Sequence, residues 1–342
     1  MIRRLAKSVR EFKKPAILTL IFIVLEAVIE TFIPFTTAAM VERIEAGVDI
    51  GEIIRLGLLL ILMAILSLAC GGAAGYTCAK ASAGFSRNLR YDLFSKIQTF
   101  SFKNIDKFST SSLITRLTTD VGQVQMSFMM IIRIAVRAPL MLIFSIIMTF
   151  VMGGQLAWAF IAITIPLSIG LVLIARFALP TFRRVFKKYD KMNESIEENV
   201  RGMRVVKGFA REEYEKQKFD AASDAIRRDF TKAERIVAWN SPLMQFCVYA
   251  NMIVIMFIGS KLVISSGGTV MNVETMSALL TYGMQILMQF MMLSMIYVIL
   301  TISAESARRI NEVLSEEPTL KNPENPVMTV ADGSIDFENV GF

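Results

Sequence analysis

The sequence contains no histidine, which excludes acid–base catalysis and metal ligation by an imidazole group in this chain. It has only three cysteines, Cys70, Cys78 and Cys247, and all three lie in or beside apolar segments. An odd cysteine number without metal-ligand spacing predicts neither a disulfide framework nor a metal site. A phosphate-binding loop of the form Gly-x-x-x-x-Gly-Lys-Ser/Thr is also missing, so hydrolysis of ATP by that mechanism is not predicted for these residues.

Hydrophobic residues make up 54% of the chain, and the mean hydropathy is +0.51. Soluble domains rarely reach such values, because they must cover themselves with polar side chains. A bilayer is crossed by about 20 apolar residues, and backbone groups in lipid must be satisfied within a helix or a closed barrel. The sequence therefore predicts an all-α membrane protein. Its six spans run roughly over residues 16–40, 53–79, 127–152, 155–178, 243–265 and 276–302.

The net charge of +7 is concentrated between these spans, which favours membrane topology over nucleic-acid binding as its explanation. Cations are dense in residues 1–14, 80–126 and 176–240, whereas the remaining connections are short and carry several carboxylates. We therefore expect both termini to face the cytoplasm. The first residues resemble a signal peptide, but Glu26 and Glu30 interrupt the apolar part, so we expect the segment to be retained.

Residues 1–14 form a separate element, with apolar and basic residues on opposite faces. This pattern predicts an elbow helix that lies along the inner membrane surface. The apolar face consists of Ile2, Leu5, Val9 and Phe12.

The two long inward connections, 80–126 and 180–242, have the pattern of helices rather than loops. Phe85, Leu89 and Leu93 recur every fourth residue, which is a helical stripe. A helix from residue 53 to 101 would be about 70 Å long at 1.5 Å per residue. Since only about 30 Å crosses the hydrocarbon core, we expect long cytoplasmic helical extensions.

Each extension ends in a short, partly apolar turn, followed in the first case by hydroxyl residues that can cap a new helix. The two turns lie at residues 102–109 and 209–216. Exposed aromatic side chains there would need cover, which predicts that the turns dock onto another domain. The alternative is that they are ordinary solvated turns. The aromatic residues concerned are Phe102, Phe108, Phe209 and Tyr214.

The pattern changes after residue 302. Ser303 to Leu314 predicts a polar helix, and Pro318, Pro323 and Pro326 mark a linker. The alternation over 334–342 predicts an opening strand, so we expect a further domain to follow.

Several of these segments resemble the ABC exporter family with six helices per half. The resemblance covers essentially the whole chain and implies the type 1 exporter transmembrane fold, with bacterial multidrug half-transporters as the closest subgroup. It divides the chain into an elbow helix at 1–14, a transmembrane domain at 15–315, a linker at 316–333 and the first strand of a nucleotide-binding domain at 334–342. The segments that carry it are Leu113–Val121, Glu198–Phe209, Ser303–Ile310 and residues 334–342.

The resemblance implies that ATP and Mg²⁺ act in the full-length protein, with neither cofactor nor metal held by this part of it, and that its enzyme activity is that of a translocase. It also implies a second half-transporter, identical or different, as partner, together with nucleotide-binding domains, membrane lipids and hydrophobic small molecules, but no nucleic acid. The expected location is the bacterial plasma membrane. The residues expected to contact the nucleotide-binding domains are Phe102, Asn104, Asp106, Phe108, Phe209, Arg211, Glu212 and Tyr214.

Two groups of residues are candidates for the substrate pathway. Glu26 and Glu30 share a face of the first helix, and carboxylates inside a membrane usually face a cavity or a partner. They would attract cationic substrates or relay protons; the alternative is a structural pairing or a place near the outer head groups. The sixth helix carries a flexible methionine stripe that suits varied ligands, although lipid contact or core packing would also explain it. Its candidates are Met284, Gln285, Met288, Gln289, Met291 and Met295.

Two further patterns favour structural explanations. Gly71, Gly75, Ala79 and Ala83 repeat every four residues, which predicts close helix packing. Arg133 and Arg137 are expected to snorkel or to pair with acids.

The function expected from all of this is ATP-driven export of hydrophobic or amphipathic compounds by a dimer with alternating access. A lipid flippase or a peptide exporter on the same scaffold is the alternative. A secondary transporter fits less well because the inward connections are long and helical, and a non-transporting scaffold or a half with a degenerate ATP site also stays open.

Overall fold

The computed structural model describes residues 2–267, 271–318, 325, 328–329 and 332–341. Within these residues the chain is helical and contains no strand. Six helical segments, 43 to 55 residues long, are apolar and long enough to cross a membrane, which confirms the predicted number of spans. They are Ile2–Glu45, Ile50–Gln98, Thr110–Gly153, Ala157–Arg201, Glu212–Ser266 and Val273–Ser315.

Eleven α-helices account for most of the described residues, joined by 3₁₀ turns at Ala6–Phe12 and Gly154–Leu156 and a π-helical turn at Arg116–Asp120. In chain order the helices are α1 (Ile2–Leu5), α2 (Lys13–Glu45), α3 (Ile50–Gln98), α4 (Phe102–Lys107), α5 (Thr110–Thr115), α6 (Val121–Gly153), α7 (Ala157–Arg201), α8 (Met203–Gly208), α9 (Glu212–Ala238), α10 (Asn240–Ser266) and α11 (Val273–Ser315).

The contacts divide the chain into two units, of which the larger consists of residues 14–80 and 128–300. Its core forms where α7, α10 and α11 pack together, around Phe160, Ile255 and Leu279. By contrast, none of the most apolar 18-residue window of α3 is buried. Exposed Leu and Ile side chains are stable in such a helix because lipid is as apolar as they are.

Within the larger unit, α7 and α9 pack along each other as a hairpin. Lys188 Nζ lies 2.7 Å from Asp229 Oδ2, and the rings of Phe182 and Phe230 meet edge to face at 6.0 Å. The connection between α6 and α7 is as tight as predicted. Gly154 adopts φ +49 there, a left-handed conformation that glycine accepts without a steric cost.

The smaller unit consists of residues 1–13, 81–127 and 301–342. The predicted stripe on α3 is present in it, since Phe85, Leu89 and Leu93 are buried. At Gly84 the ring of Phe12 approaches so closely that an added Cβ would lie 2.4 Å from its atoms. The ring of Phe12 therefore fits against α3 because Gly84 has no side chain.

The elbow differs from the single helix that the sequence predicts. Helix α1 gives way to the 3₁₀ turn at Ala6, and Arg10 adopts φ 39, ψ −118, which interrupts the helix. Leu5 and Val9 are buried, but Ile2 is 77% exposed. Asn88 Nδ2 donates to the Ser8 carbonyl at 3.1 Å, and Asp92 accepts from Ser8 Oγ at 2.7 Å. These polar contacts with α3 bend the segment away from regular geometry.

The polar helix predicted after residue 302 is the last part of α11, which ends at Ser315. Residues 332–341 have no regular structure. A strand needs a neighbouring strand to complete its hydrogen bonds, so the strand at 334–342 stays a prediction. Pro323 and Pro326 of the predicted linker lie outside the described residues, as do 268–270 and 342.

Candidate functional site: coupling segments and pathway residues

The first predicted coupling segment is helix α4, and the Asn104 side chain both caps its start and ties it to the chain after α11. Asn104 Oδ1 accepts from the Ser101 backbone N–H at 3.2 Å and from Ser101 Oγ at 2.6 Å, which caps the start of the helix. Its Nδ2 donates to Glu316 Oε1 at 3.0 Å and to the Glu317 carbonyl at 3.1 Å. Lys107 Nζ adds an ion pair with Glu316 Oε2 at 2.7 Å. The chain that follows α11 therefore holds α4 in place.

The side chains of this segment fall into two groups. Phe102 is 86% exposed and Asp106 is also exposed, so both are free to contact another domain. Asn104 and Phe108 are buried instead, and the expectation that Phe108 is exposed is wrong. Its ring stacks on Phe100 at 5.8 Å between centroids. The side chains of Asn104 and Phe108 therefore contact other residues of this chain.

The second predicted coupling segment is the turn between α8 and α9. Phe209 is 76% exposed, Tyr214 is 59% exposed and Arg211 is exposed, whereas Glu212 is half-buried at the start of α9. Ala210 adopts φ 50, a left-handed conformation that is costly for a residue with a Cβ. The turn is therefore sharply formed, with its aromatic side chains uncovered.

A polar network that the sequence did not reveal joins the π-helical turn to the end of α11. Arg309 clamps Asp120 with two nitrogens, Nε at 2.8 Å from Oδ2 and Nη2 on Oδ1, and Asp120 is fully buried. Arg116 Nη1 donates to the Arg309 carbonyl at 2.6 Å. Arg116 also pairs with Glu312 at 3.2 Å and places its guanidinium 4.9 Å from the centroid of Phe108. The hydrogen bond with Asp120 raises the pKa of Arg309.

Single-sequence reasoning had one usable signal for this network. Arg116 and Asp120 are charged residues four apart in a stretch predicted as a helix with an apolar face. The structure buries both side chains. In the structure, the π-helical geometry of Arg116–Asp120 also draws attention to this stretch, since such turns recur at functional sites.

Glu26 and Glu30 are brought together by one arginine. Arg137 Nη2 lies 2.6 Å from Glu30 Oε2 and 3.5 Å from Glu26 Oε1. The pairing joins α2 to α6, as expected for Arg137 when it pairs with acids. Gly71 of α3 makes room for it, since a Cβ there would lie 3.2 Å from Glu26 Oε1. These carboxylates are therefore paired as the structural explanation requires, while their side chains keep 16% and 28% exposure.

The methionine stripe of α11 is not core. Met284, Met288, Met291 and Met295 are 43% to 63% exposed, which excludes packing inside this chain as their explanation. Beside the stripe, Gln285 accepts from Ser145 Oγ at 3.1 Å, and Gln289 is half-buried. No hydrogen bond or ion pair among the described residues connects these glutamines with the two carboxylates.

An apolar cavity of about 340 Å³ lies between α6, α7 and α11, and none of the predicted pathway residues lines it. Its volume falls within the range of small-molecule sites. Thr149, Phe160, Thr164, Ile286 and Phe290 contribute to its walls. Sequence reasoning missed it because cavities form between helices that are far apart in the chain.

A family model described as the ABC transporter transmembrane region matches residues 16–303. An uncharacterized ABC transporter ATP-binding protein of Mycobacterium tuberculosis is 31% identical over 326 residues, which is 95% of this chain and 56% of that protein. The ABC transporter ATP-binding protein YfiB of Bacillus subtilis, also uncharacterized, is 30% identical over the same shares.

A third relative is known by its activity. The ATP-dependent lipid A-core flippase of Pseudomonas fluorescens is 31% identical over 208 residues, covering 59% of this chain and 33% of the flippase. The chain spans about half the length of the first two relatives.

Proposed function

Because this chain belongs to the ABC transporter transmembrane region family, we propose that it is the membrane-spanning part of an ATP-driven exporter of hydrophobic or amphipathic compounds. The observation that carries the proposal is helix length. The segments with a membrane span are 43 to 55 residues long, about twice what a bilayer needs. Helices of this length suit an exporter, since they carry movement from an ATPase domain into the membrane.

The two exposed turns would receive that movement. Phe102 with Asp106, and Phe209 with Arg211 and Tyr214, would contact nucleotide-binding domains, and Asn104, Phe108 and Glu212 would hold the turns in shape. ATP with Mg²⁺ supplies the free energy in the full-length protein, when closure of two nucleotide domains tilts the helices outward. This sequence contains no phosphate-binding loop, so no step of hydrolysis is assigned to its residues.

The protein is further proposed to work as a dimer in a bacterial plasma membrane. Two halves, identical or different, would enclose one pathway, with the termini in the cytoplasm of a bacterium and the spans in its plasma membrane. The dense cations of residues 1–14 and 176–240 support this orientation.

Coupling is tested with the full-length protein in proteoliposomes by comparing ATP hydrolysis with uptake of a fluorescent amphipathic cation. For Phe102→Ala combined with Phe209→Ala we expect transport to fall at least about tenfold, while ATP hydrolysis stays within about twofold. Tyr91→Ala is the matched control, since Tyr91 is an exposed aromatic residue of α3 that belongs to neither turn. Equal loss of both activities, or the same loss in the control, would contradict the proposal.

A role of the acidic pair in attracting cationic substrates is a separate part of the proposal. Glu26→Gln leaves Glu30 to pair with Arg137, so the fold should survive while one negative charge is lost. We expect the KM for cationic compounds to rise and that for neutral compounds to stay unchanged. Unchanged transport of every cationic compound would leave the pair with a structural role alone.

Lipid flipping is a second candidate, favoured by the similarity to the lipid A-core flippase of Pseudomonas fluorescens. The same proteoliposomes, carrying a fluorescent phospholipid that a membrane-impermeant reductant quenches, measure it directly. ATP-dependent movement of the lipid without uptake of amphipathic drugs would replace drug export by lipid flipping as the function.

A further inference from the structure

A cavity with apolar and cationic walls lies beside the hairpin of α7 and α9, within the larger unit. It has a volume of about 420 Å³. Residues between 173 and 184 of α7 form most of its lining, and Ile236 of α9 and Trp239 before α10 complete it. None of the coupling or pathway residues proposed above lines it.

The two tryptophans of the sequence place this cavity at a boundary of the hydrocarbon core. Trp158 and Trp239 are 65% and 69% exposed, so neither contributes to a core. Exposed tryptophans of membrane helices concentrate at the level of the lipid head groups. From Trp158 to Arg176, which shares the cavity with Trp239, α7 rises by about 27 Å at 1.5 Å per residue. Since the hydrocarbon core is about 30 Å thick, the two tryptophans lie at opposite head-group levels.

The side chains near this level agree with the placement. Leu173 and Phe177 in the cavity wall are exposed, which suits contact with lipid. Farther along the hairpin, Lys188 and Asp229 form their ion pair on partly exposed side chains, which suits water. The cavity therefore spans the change from apolar to aqueous surroundings. In the proposed orientation it faces the cytoplasmic leaflet.

Arg176 and Arg184 give the cavity uncompensated positive charge. Both are exposed, and no carboxylate lies within ion-pair distance of either among the side chains that the structure describes. Asp229 of α9 acts on Arg184 only from a distance, since its carboxylate is paired with Lys188. Helical side chains lean towards the N-terminus of their helix, so Arg184 leans back towards Arg176, two turns earlier. A guanidinium binds phosphate oxygens through two parallel hydrogen bonds, which makes phosphate a favoured anion.

A ligand that fits this cavity needs an anionic group for the two arginines and an apolar part for Leu173, Phe177 and Trp239. We propose that the cavity binds an anionic phospholipid, with its phosphate on Arg176 and Arg184 and an acyl chain along the apolar wall. Basic pockets between membrane helices bind such head groups in general. A zwitterionic lipid fits less well, because its own cation would lie close to the arginines. The inference concerns a bound lipid and not the exported compound, so it stands apart from the proposed export.

Binding is tested by native mass spectrometry of the detergent-purified full-length protein, titrated with phosphatidylglycerol in the absence of ATP. Arg176→Gln and Arg184→Gln should each weaken the first phosphatidylglycerol by about fivefold, and together by about tenfold or more, because each cation at a membrane surface adds to the attraction. Phosphatidylcholine with the same acyl chains should bind to the wild type at least about tenfold more weakly. Equal binding of the two lipids, or retained binding by the double variant, would overturn the proposal.

Lys191→Gln with Arg204→Gln is the matched control, since both cations are exposed and lie outside the cavity. Lys191 follows Arg176 by about 22 Å along α7, which is more than two Debye lengths of about 8 Å, so we expect less than about a twofold change. A loss as large as that of the arginine pair would assign the effect to net charge and contradict the site. Thermal unfolding in phosphatidylcholine micelles should be the same for all variants, and the single arginine variants serve the test if the double variant is less stable.

Two further measurements check the ligand and its level in the membrane. Glycerol phosphate, the water-soluble head group, should not displace phosphatidylglycerol; competition as strong as that of the lipid would overturn the lipid as ligand. In a variant that keeps Trp239 as its only tryptophan, fluorescence should be quenched more by lipids brominated near the head group than by lipids brominated near the chain ends. The reverse order, or no quenching by either lipid, would overturn the placement of the cavity.

Discussion

Arg308 and Arg309 are adjacent in the sequence but have different surroundings. Arg308 is exposed and pairs with Glu305 and Glu312 on its own helix, whereas Arg309 holds the fully buried Asp120. Ion pairs on the surface of one helix contribute little, because water solvates both partners well. A carboxylate that is buried depends on its partner, because losing it leaves an uncompensated charge.

Arg309→Gln is therefore expected to lower the free energy of unfolding by about 2 kcal/mol. Arg308→Gln, with the same loss of charge, should change it by less than about 0.5 kcal/mol. The measurement is thermal unfolding of the two purified variants in one detergent. A smaller effect for Arg309→Gln than for Arg308→Gln would show that the clamp on Asp120 does not stabilise the fold.

Gly71 and Gly72 provide a second pair of neighbours. An added Cβ at Gly71 would lie 3.2 Å from Glu26 Oε1, whereas one at Gly72 would have no neighbour within 4 Å. We expect Gly71→Ala to destabilise the protein by about 1 kcal/mol, because the paired Glu26 has to move. Gly72→Ala should be neutral or slightly stabilising, since alanine favours the helix. Thermal unfolding of both variants checks this, and equal effects would contradict close packing at Gly71.

Sequence spacing predicted part of this residue-scale picture. The spacing of Arg133 and Arg137 suggested pairing with acids, which the structure shows for Arg137. The close packing predicted for the small-residue repeat holds at Gly71 against Glu26 but is wrong for Ala79 and Ala83, which are exposed. The clamp could not be predicted, because Asp120 and Arg309 are 189 positions apart and nothing local to either residue indicates the other. Burial of Phe108 was missed for another reason. Its neighbours Phe100 and Arg116 are close in sequence, but whether they cover the ring depends on how the short connections on either side of α4 fold.

At the scale of elements, helix α4 depends on its neighbours. It has six residues, too few for a helix to be stable by itself in water. Glu316 holds it through Asn104 and Lys107. The hydrogen bond from Lys107 lowers the pKa of Glu316 from its ordinary value of 4.5. The ionised form is thus favoured in the folded state, and its contribution is lost as the pH falls from 4.5 through that lowered pKa.

We expect the amides of residues 102–107 to lose protection against hydrogen exchange when the pH falls from about 5.5 to about 3.5, after correction for intrinsic rates. Glu316→Gln should show low protection at both pH values, because the pair with Lys107 is absent throughout. Loss of protection in the variant with the same pH dependence as in the wild type would assign the effect to another group.

The elements themselves were largely predictable. An apolar run of about 20 residues satisfies its backbone hydrogen bonds in lipid by forming a helix, so the six spans could be predicted from hydropathy. The partly apolar turns at 102–109 and 209–216 marked the ends of the extensions. The elbow was less predictable, because its break at Arg10 comes with contacts to Asn88 and Asp92 of α3. These contacts link residues that are about 80 positions apart in the sequence.

For the whole molecule, the distribution of cations predicts which connections share a side of the membrane. In a background without Cys70, Cys78 and Cys247, we expect Asp49→Cys to react with a membrane-impermeant maleimide in intact cells. Ser223→Cys on α9, outside the proposed coupling turn, should react only after lysis. Both positions are exposed, so access and not burial decides the result. Labelling of both in intact cells, or of Ser223→Cys alone, would contradict cytoplasmic termini.

The close contact between Phe12 and Gly84 also limits which substitutions these two positions can accept during evolution. Any side chain at position 84 would displace the ring of Phe12 from its place against α3, because an added Cβ would lie 2.4 Å from the ring. The two positions should therefore change together: alanine or serine at 84 should occur only with a residue smaller than phenylalanine at 12. An alignment of descendants in which position 84 drifts freely while phenylalanine persists at 12 would count against this fit.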